Sequence, residues 1–309
     1  MSVLKVCAAL LCIFSTVHAK IPKVHGMKLT WSDDFEGRRN TLPDGDSWII
    51  DVGTSYLDPK GPENWGTGEI QVYTNDVKNV HVDGKGNLKI TAIRNSTGTW
   101  TSSRIETRRT DFMAQPGGKL RIQASLRTPN LGEGGIGYWP AFWTLGAEFR
   151  GNYWQVLSLV PRGANWPSIG EIDIMENVNN VDRYWSVLHC DSNPGGACNE
   201  PNGIGNSTTC AGGSCLGNFH THAVEIDRTT SPEFIRWFVD GIQSHSVNES
   251  ALPRDVWSQT VHKPHFVLLN MAMGGGFPDG VYGSKTPTNA TVSGGAYEVQ
   301  YVAVYNSRE

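Results

Sequence analysis

The sequence predicts an all-β sandwich of two antiparallel sheets, and three observations carry that prediction. Short runs alternate apolar and polar residues with period two. The 35 glycines and 16 prolines punctuate those runs as turn signals. No segment shows the sustained three-to-four periodicity of a long helix.

The elements follow in chain order. Lys28-Leu29-Thr30-Trp31 reads as a first strand, residues 87–93 alternate cleanly, and so do residues 119–126. Residues 185–189 form a short strand just after an acidic segment. Residues 234–239 run into Asp240-Gly241 and then Ile242, a strong short hairpin signal. Residues 265–271 are mostly apolar and end at Gly274-Gly275-Gly276. Residues 297–305 close the chain, with Val299, Val302 and Val304 at strand spacing. A strand at each end predicts that both termini are tied into the sheets of one domain, residues 20–309.

The most informative segment is Glu171-Ile172-Asp173-Ile174-Met175-Glu176. On a strand, Glu171 and Asp173 share one face, while Ile172 and Ile174 share the other. Plain alternation would send Glu176 into the core. One extra residue near Met175, a β-bulge, would return it to the carboxylate face. A helix is the weaker reading, because Ile172, Ile174 and Val178 form no clean stripe and Asn177, Asn179 and Asn180 are turn formers. An edge strand with solvated acids is the bland reading. Crowded carboxylates raise one another's pKa, which serves stability poorly. Two carboxyl groups about 5–5.5 Å apart serve retaining glycoside hydrolysis well.

Residues 1–19 read as a secretory leader: Lys5, an apolar run over 6–14, and Val17-His18-Ala19 before the cut. That run is too short to span a bilayer, and no other segment approaches such a length. Leader removal takes Cys7 and Cys12, leaving Cys190, Cys198, Cys210 and Cys215 in one Gly/Asn/Ser-rich stretch. Two disulfides are expected over zinc, since no CxxC pair occurs; three connectivities stay open. Sequons at Asn95, Asn206, Asn248 and Asn289 agree with an extracellular glycoprotein. The net charge is −4, and losing Lys5 makes it one unit more negative. The only basic features are short pairs such as Arg108-Arg109, so neither nucleic acid nor membrane is an expected partner. The 11 tryptophans fill cores in many proteins, but beside an acidic site some serve as platforms for sugar rings.

Over roughly residues 28–305 the chain resembles glycoside hydrolase family 16, in its laminarinase-like endo-β-1,3-glucanase branch. The acid segment with Gly170 carries the resemblance, together with Trp31-Ser32-Asp33-Asp34-Phe35, Asn64-Trp65-Gly66 with Glu69, and Trp139-Pro140-Ala141-Phe142-Trp143. Trp166-Pro167, residues 219–225 and Val239-Asp240-Gly241 add to it. The resemblance implies a concanavalin-like jelly roll with a concave substrate groove, a retaining mechanism and no cofactor. It implies Glu171 as nucleophile, Glu176 as acid/base and Asp173 between them. It places Trp166 against sugar at the scissile bond and His189 near the site. Trp139 and Trp143 fit core or groove by patterning, and the resemblance assigns both to the groove. Arg104 and Asn64 are hydrogen-bond candidates for sugar hydroxyls.

Two departures stand out. The stretch between Trp143 and Trp166 is long and carries Phe149, Tyr153 and Trp154, as either groove lining or an end wall. The last strand reads Val299-Gln300-Tyr301-Val302 where the family commonly has an Asp serving calcium, so a metal is left unassigned. Trp257 and Phe277 lie in loop-like stretches. The expected activity is endo-hydrolysis of β-1,3-glucan, with mixed β-1,3-1,4-glucan as a second substrate, by a secreted monomer. A transglycosylase and a noncatalytic glucan-binding lectin are the competing readings on the same fold.

Overall fold

The computed structural model describes residues 21–57, 60–153 and 165–307. The leader with Cys7 and Cys12, and also Trp154, lie outside the described residues.

Among the described residues, two large antiparallel sheets dominate, of eight and seven strands. In the larger sheet Lys119–Arg127 lies between His220–Asp227 and the terminal strand Ala296–Ser307. Beyond His220–Asp227 come Phe234–Val239 and Ile242–Asn248. The first strand, Met27–Asp33, pairs with Ala296–Ser307 from Met27 opposite Ser307 to Asp33 opposite Val302. The first and last strands of the described residues are therefore paired in this sheet. The Phe234–Val239 hairpin forms as expected. Asp240 (φ 50°) and Gly241 (φ 79°) both take the left-handed region that a tight two-residue turn requires.

The seven-stranded sheet carries the acids. Glu171–Glu176 is flanked by Tyr138–Gly146 on one side and Tyr184–His189 on the other. His265–Met273, Arg104–Thr107 and Trp48–Asp51 continue beyond Tyr138–Gly146. Ile204–Thr208 is the opposite edge. Inward-facing Phe142, Ile172, Ile174, Met175, Val267, Leu269 and Met271 join Ile122, Val224, Trp237 and Val302 of the other sheet in one core. Burying such side chains stabilises by about 1.5–3 kcal/mol each and holds the sheets face to face.

A second apolar cluster lies on the outer side of the seven-stranded sheet. It joins Tyr56, Trp65, Tyr73, Leu145, Phe149, Tyr153, Ile169, Phe266 and Leu268. Alternation explains it: Leu145 and Leu268 are out of phase with the core residues Phe142, Val267 and Leu269 on their own strands. The described part of the long Trp143–Trp166 stretch thus packs as a side wall, with the Tyr153 ring stacked on Tyr56 at 3.6 Å between centroids.

Two loop assignments need correction. Trp257 sits in the helix Arg254–Val261, fully buried, its indole N–H donating to Glu233 at 2.8 Å. Phe277 lies in the short helix Gly276–Tyr282. Glycines at 274 to 276 hid that helix from a propensity reading. Among the described residues, no helix is long and apolar enough to cross a membrane.

The cysteines pair in chain order, Cys190 with Cys198 and Cys210 with Cys215. Asn95, Asn206 and Asn289 are exposed, and Asn248 is half-buried.

Candidate active site

The acid strand contains the expected bulge. Against Tyr138–Gly146, Met175 pairs with Phe142 but Asp173 pairs with Trp143, so Ile174 is the extra residue. The neighbour on the other side agrees: Asp173 faces Val187 and Glu176 faces Trp185, three residues spanned by two. Ile174 and Met175 therefore both turn into the core, and Glu176 returns to the side of Glu171 and Asp173. A bulge interrupts the ladder, and its carbonyls need other donors. The Trp237 indole N–H, from the opposite sheet, donates to the Asp173 carbonyl at 2.9 Å. The Ser186 hydroxyl donates to the Ile174 carbonyl at 3.2 Å.

All three acids line one cavity with Trp139, Trp143, Trp166, Arg104 and Asn270. The Trp139 indole donates to Glu176 Oε1 at 2.8 Å, and the Trp166 indole to Glu171 Oε2 at 3.1 Å. Each outer acid thus has its own tryptophan donor. Trp143 donates to Asn270 Oδ1 at 2.7 Å, Asn270 donates to the Tyr73 hydroxyl at 3.1 Å, and Tyr73 donates to Glu69 at 3.2 Å. These bonds fix the indole rings in the groove, where their faces present flat apolar surfaces.

The electrostatics separate the two outer acids. Burial, then the charge of Asp173, pushes Glu171 up to about 8, opposed by His189 and Arg104. Burial and then Asp173 also push Glu176 well above the ordinary carboxylate range, opposed by the Trp139 bond and His189. Arg104 is thus a cation that bears on Glu171 in particular, while Glu176 has an indole donor of its own. Burial and Asp173 therefore hold both outer acids toward the protonated form, and His189 and Arg104 are the charges that draw Glu171 back toward ionisation.

His189 stands opposite Glu171 in the ladder, on the same face and beside Asp173, and it does not line the cavity. Its Nε2 lies 3.3 Å from Asp173 and its Nδ1 lies 2.7 Å from Glu200. One ligating atom each from Glu171, Asp173 and His189 fall within 4.8 Å of one another. His189 thus lies near the site, as expected, beside Asp173. Asn64 departs from expectation. It is exposed and does not line the cavity, whereas its neighbours Trp65, Gly66 and Thr67 do. Asn64 (φ 52°) and Trp65 (φ 54°) both take left-handed backbone, which turns the indole inward and leaves the amide outside.

Arg104 is buried within an aromatic cage. Its guanidinium carbon lies 4.6 Å from the Trp65 ring centroid, 4.9 Å from Trp143 and 5.2 Å from Tyr56. Its Nε donates to Asp51 at 3.1 Å and its Nη2 to the Tyr56 hydroxyl at 2.6 Å. Two donors are committed below the floor, and the remaining edge lines the cavity. At Glu176's side, Phe277 meets both Trp139 and Trp185 edge-to-face, at 5.7 and 5.5 Å between centroids.

Tyr56, Glu69, Asn193 and Asn270 also line the cavity, without having been singled out as contacts by their sequence. Glu69 is buried, and burial pushes its carboxyl up to about 7. The clue to Glu69 was its spacing after Trp65-Gly66; Tyr56, Asn193 and Asn270 carry no local signal. At the calcium departure, Gln300 accepts a hydrogen bond from the Ser125 hydroxyl at 2.7 Å.

No family model matches the chain. It is similar to the solved endo-1,3-beta-glucanase of Streptomyces sioyaensis, with 46% identity, TM-score 0.88, and coverage of 94% of this chain and 100% of that one. It is 30% identical to the beta-glucanase of Rhodothermus marinus, over 90% of this chain and 85% of that protein. It is 27% identical to glucan endo-1,3-beta-glucosidase A1 of Niallia circulans over 93% of its own length, and spans 39% of that relative. A bulged Glu-Asp-Glu strand in a tryptophan-lined groove, on a sandwich shared along nearly the whole chain with these glucanases, places the protein in glycoside hydrolase family 16, among the laminarinase-like β-glucanases.

Proposed function

We propose that the protein hydrolyses internal β-1,3 bonds of glucan with retention at the anomeric carbon, and that mixed β-1,3-1,4-glucan is a second substrate. The observation that carries this reading is the bulge, which brings Glu176 to the groove face of Glu171, each acid held by a tryptophan N–H.

The roles follow from charge. Glu176 begins protonated and delivers its proton to the glycosidic oxygen as that bond breaks. Glu171 attacks the anomeric carbon with the oxygen that Trp166 does not hold, forming a glycosyl ester. Glu176, now a carboxylate, takes a proton from water as the water attacks and the ester bond to Glu171 breaks. Asp173 lies between them, and its charge favours the proton on Glu176 at the start. Trp139, Trp143 and Trp166 supply ring faces for glucosyl units, and Arg104 supplies a donor to a hydroxyl.

The reading extends to setting. Residues 1–19 are a leader removed on export, 20–309 form one catalytic domain acting as a monomer, and the sequons carry glycans. The two disulfides support an oxidising, extracellular location.

The test is product analysis of the mature protein and its Glu171→Ala variant on laminarin, mixed-linkage β-glucan and xyloglucan. Short laminarin oligosaccharides from the wild type alone are the expected result. Products longer than a supplied oligosaccharide would assign a transglycosylase. Retained binding without any product would assign a lectin.

A further inference from the structure

Beside the acids, beyond His189, lies a group that neither the mechanism nor the resemblance uses. Glu200 lies in the loop after the strand Tyr184–His189, and its side chain is completely buried. Its Oε2 faces His189 Nδ1 at 2.7 Å, and its Oε1 accepts the Cys190 backbone N–H at 2.9 Å. The Cys190–Cys198 disulfide closes the loop that delivers it. Reciprocal backbone bonds between Glu200 and Gly195, at 2.6 and 2.8 Å, fasten the loop further.

His189 is thereby bracketed, with a carboxylate at each ring nitrogen. A neutral imidazole has one N–H and one lone pair, whereas ionised carboxylates only accept. One neutral tautomer would aim a lone pair at Asp173 and the other at Glu200. Only the imidazolium offers an N–H to Glu200 at Nδ1 and also sets a positive charge, 3.3 Å away, beside the Asp173 oxygen, which has no aligned hydrogen bond among the described residues. The ring also has no room to turn away. The Trp166 ring lies 5.9 Å from it between centroids, and a Cβ at Gly203 would come within 2.9 Å of His189 Cε1. The charged groups facing His189 are Asp173 and Glu171 from the acid strand and Glu200 from the loop, with Glu176 acting from farther along the strand. The other neighbouring strand, Ile204–Thr208, carries no titratable residue. Burial alone would lower His189, but Asp173 and Glu200 outweigh it and hold the imidazolium well above its usual range.

We propose that Glu200 is a positioning residue, clamping His189 as an imidazolium against Asp173 so that the nucleophile Glu171 ionises beside an already charged neighbour. The proposal rests on the roles given to Glu171 and Glu176 above. Without the clamp, His189 becomes neutral and Arg104 is left to oppose the Asp173 charge at Glu171.

Glu200→Gln tests this with little change of shape. The glutamine oxygen can keep the Cys190 N–H, and its amide then donates to His189 Nδ1, selecting the neutral Nε2–H tautomer. Imidazole ¹⁵N shifts, assigned by the signals lost in His189→Gln, should read imidazolium at neutral pH in the wild type and neutral imidazole in Glu200→Gln. The acid limb of kcat/KM on laminarin should move up by about one pH unit, about a tenfold loss on that limb, with KM nearly unchanged. Glu200→Asp should restore part of the shift. An imidazolium persisting in Glu200→Gln would overturn the proposal. So would a fall in rate that is equal at every pH and tracks a lower Tm, which marks a merely structural residue. A wild type that cleaves no glucan would defeat the proposed function instead, while the nitrogen shifts would still decide the state of His189.

Discussion

The Trp237 indole N–H reaches across the core and donates to the backbone carbonyl of Asp173. It joins the two sheets at the point where the acid strand leaves regular pairing. The geometry of the three acids therefore depends on a tryptophan that touches no part of the groove.

Trp237→Phe keeps most of the apolar volume and removes that donor. A buried carbonyl left without a partner costs about 1–3 kcal/mol. The variant should unfold at lower denaturant in proportion, and kcat should fall while KM holds. An unchanged kcat in the folded variant would show that the bulge holds its shape without Trp237.

Trp139→Phe removes the one indole bond to Glu176, a bond that favours the ionised carboxylate. The Glu176 pKa should then rise. Because Glu176 must start protonated, the alkaline limb of the kcat profile should move to higher pH, by a fraction of a unit to about one unit. A shift to lower pH would contradict the assignment of Glu176 as the acid.

Arg104 neutralises Asp51 and donates to Tyr56 in a buried setting. Arg104→Met should cost about 3–5 kcal/mol, because it leaves Asp51 and Glu106 without that counter-charge. The double variant Arg104→Met with Asp51→Leu should regain much of the stability in chemical denaturation without regaining activity. A double-variant loss equal to the sum of the losses of Arg104→Met and Asp51→Leu alone would mean that the pair is not coupled.

His222 is fully buried against Tyr184, and burial lowers its pKa to about 3. The unfolded chain binds this proton near pH 6.5, so His222 supports the fold above that value. Its contribution fades as the pH falls from about 6.5 toward 3, with about 3 kcal/mol lost near pH 4. His222→Phe should flatten the acid side of the Tm-versus-pH curve. A curve parallel to the wild type would place the acid sensitivity elsewhere.

Much of the sandwich was legible because period-two alternation is local. The hairpin at Asp240-Gly241 and the paired end strands follow from such patterns. The acid strand was legible for a sharper reason: three carboxylates at odd spacing demand a bulge if they are to meet. Asn64 departs from expectation because a backbone turn decides what it faces. Glu200 was invisible, since its partner His189 reaches it only through the strand end and the loop that follow it. The outer cluster around Tyr56 depends on residues from five separate helices and strands and from three loop positions, and no window of sequence contains it.

Met27 lies opposite Ser307 on the sheet that does not carry the groove. Head and tail of the catalytic fold are thus neighbours, about 5 Å apart across the ladder. A short peptide loop would join them into a ring, and the backbone could be reopened at an exposed turn such as Asp240-Gly241 without disturbing the acids. Joining them would leave the native sandwich unstrained and deprive the unfolded chain of its freest motions. Heat resistance can therefore be added to this fold at the seam of its two ends, at a distance from its chemistry.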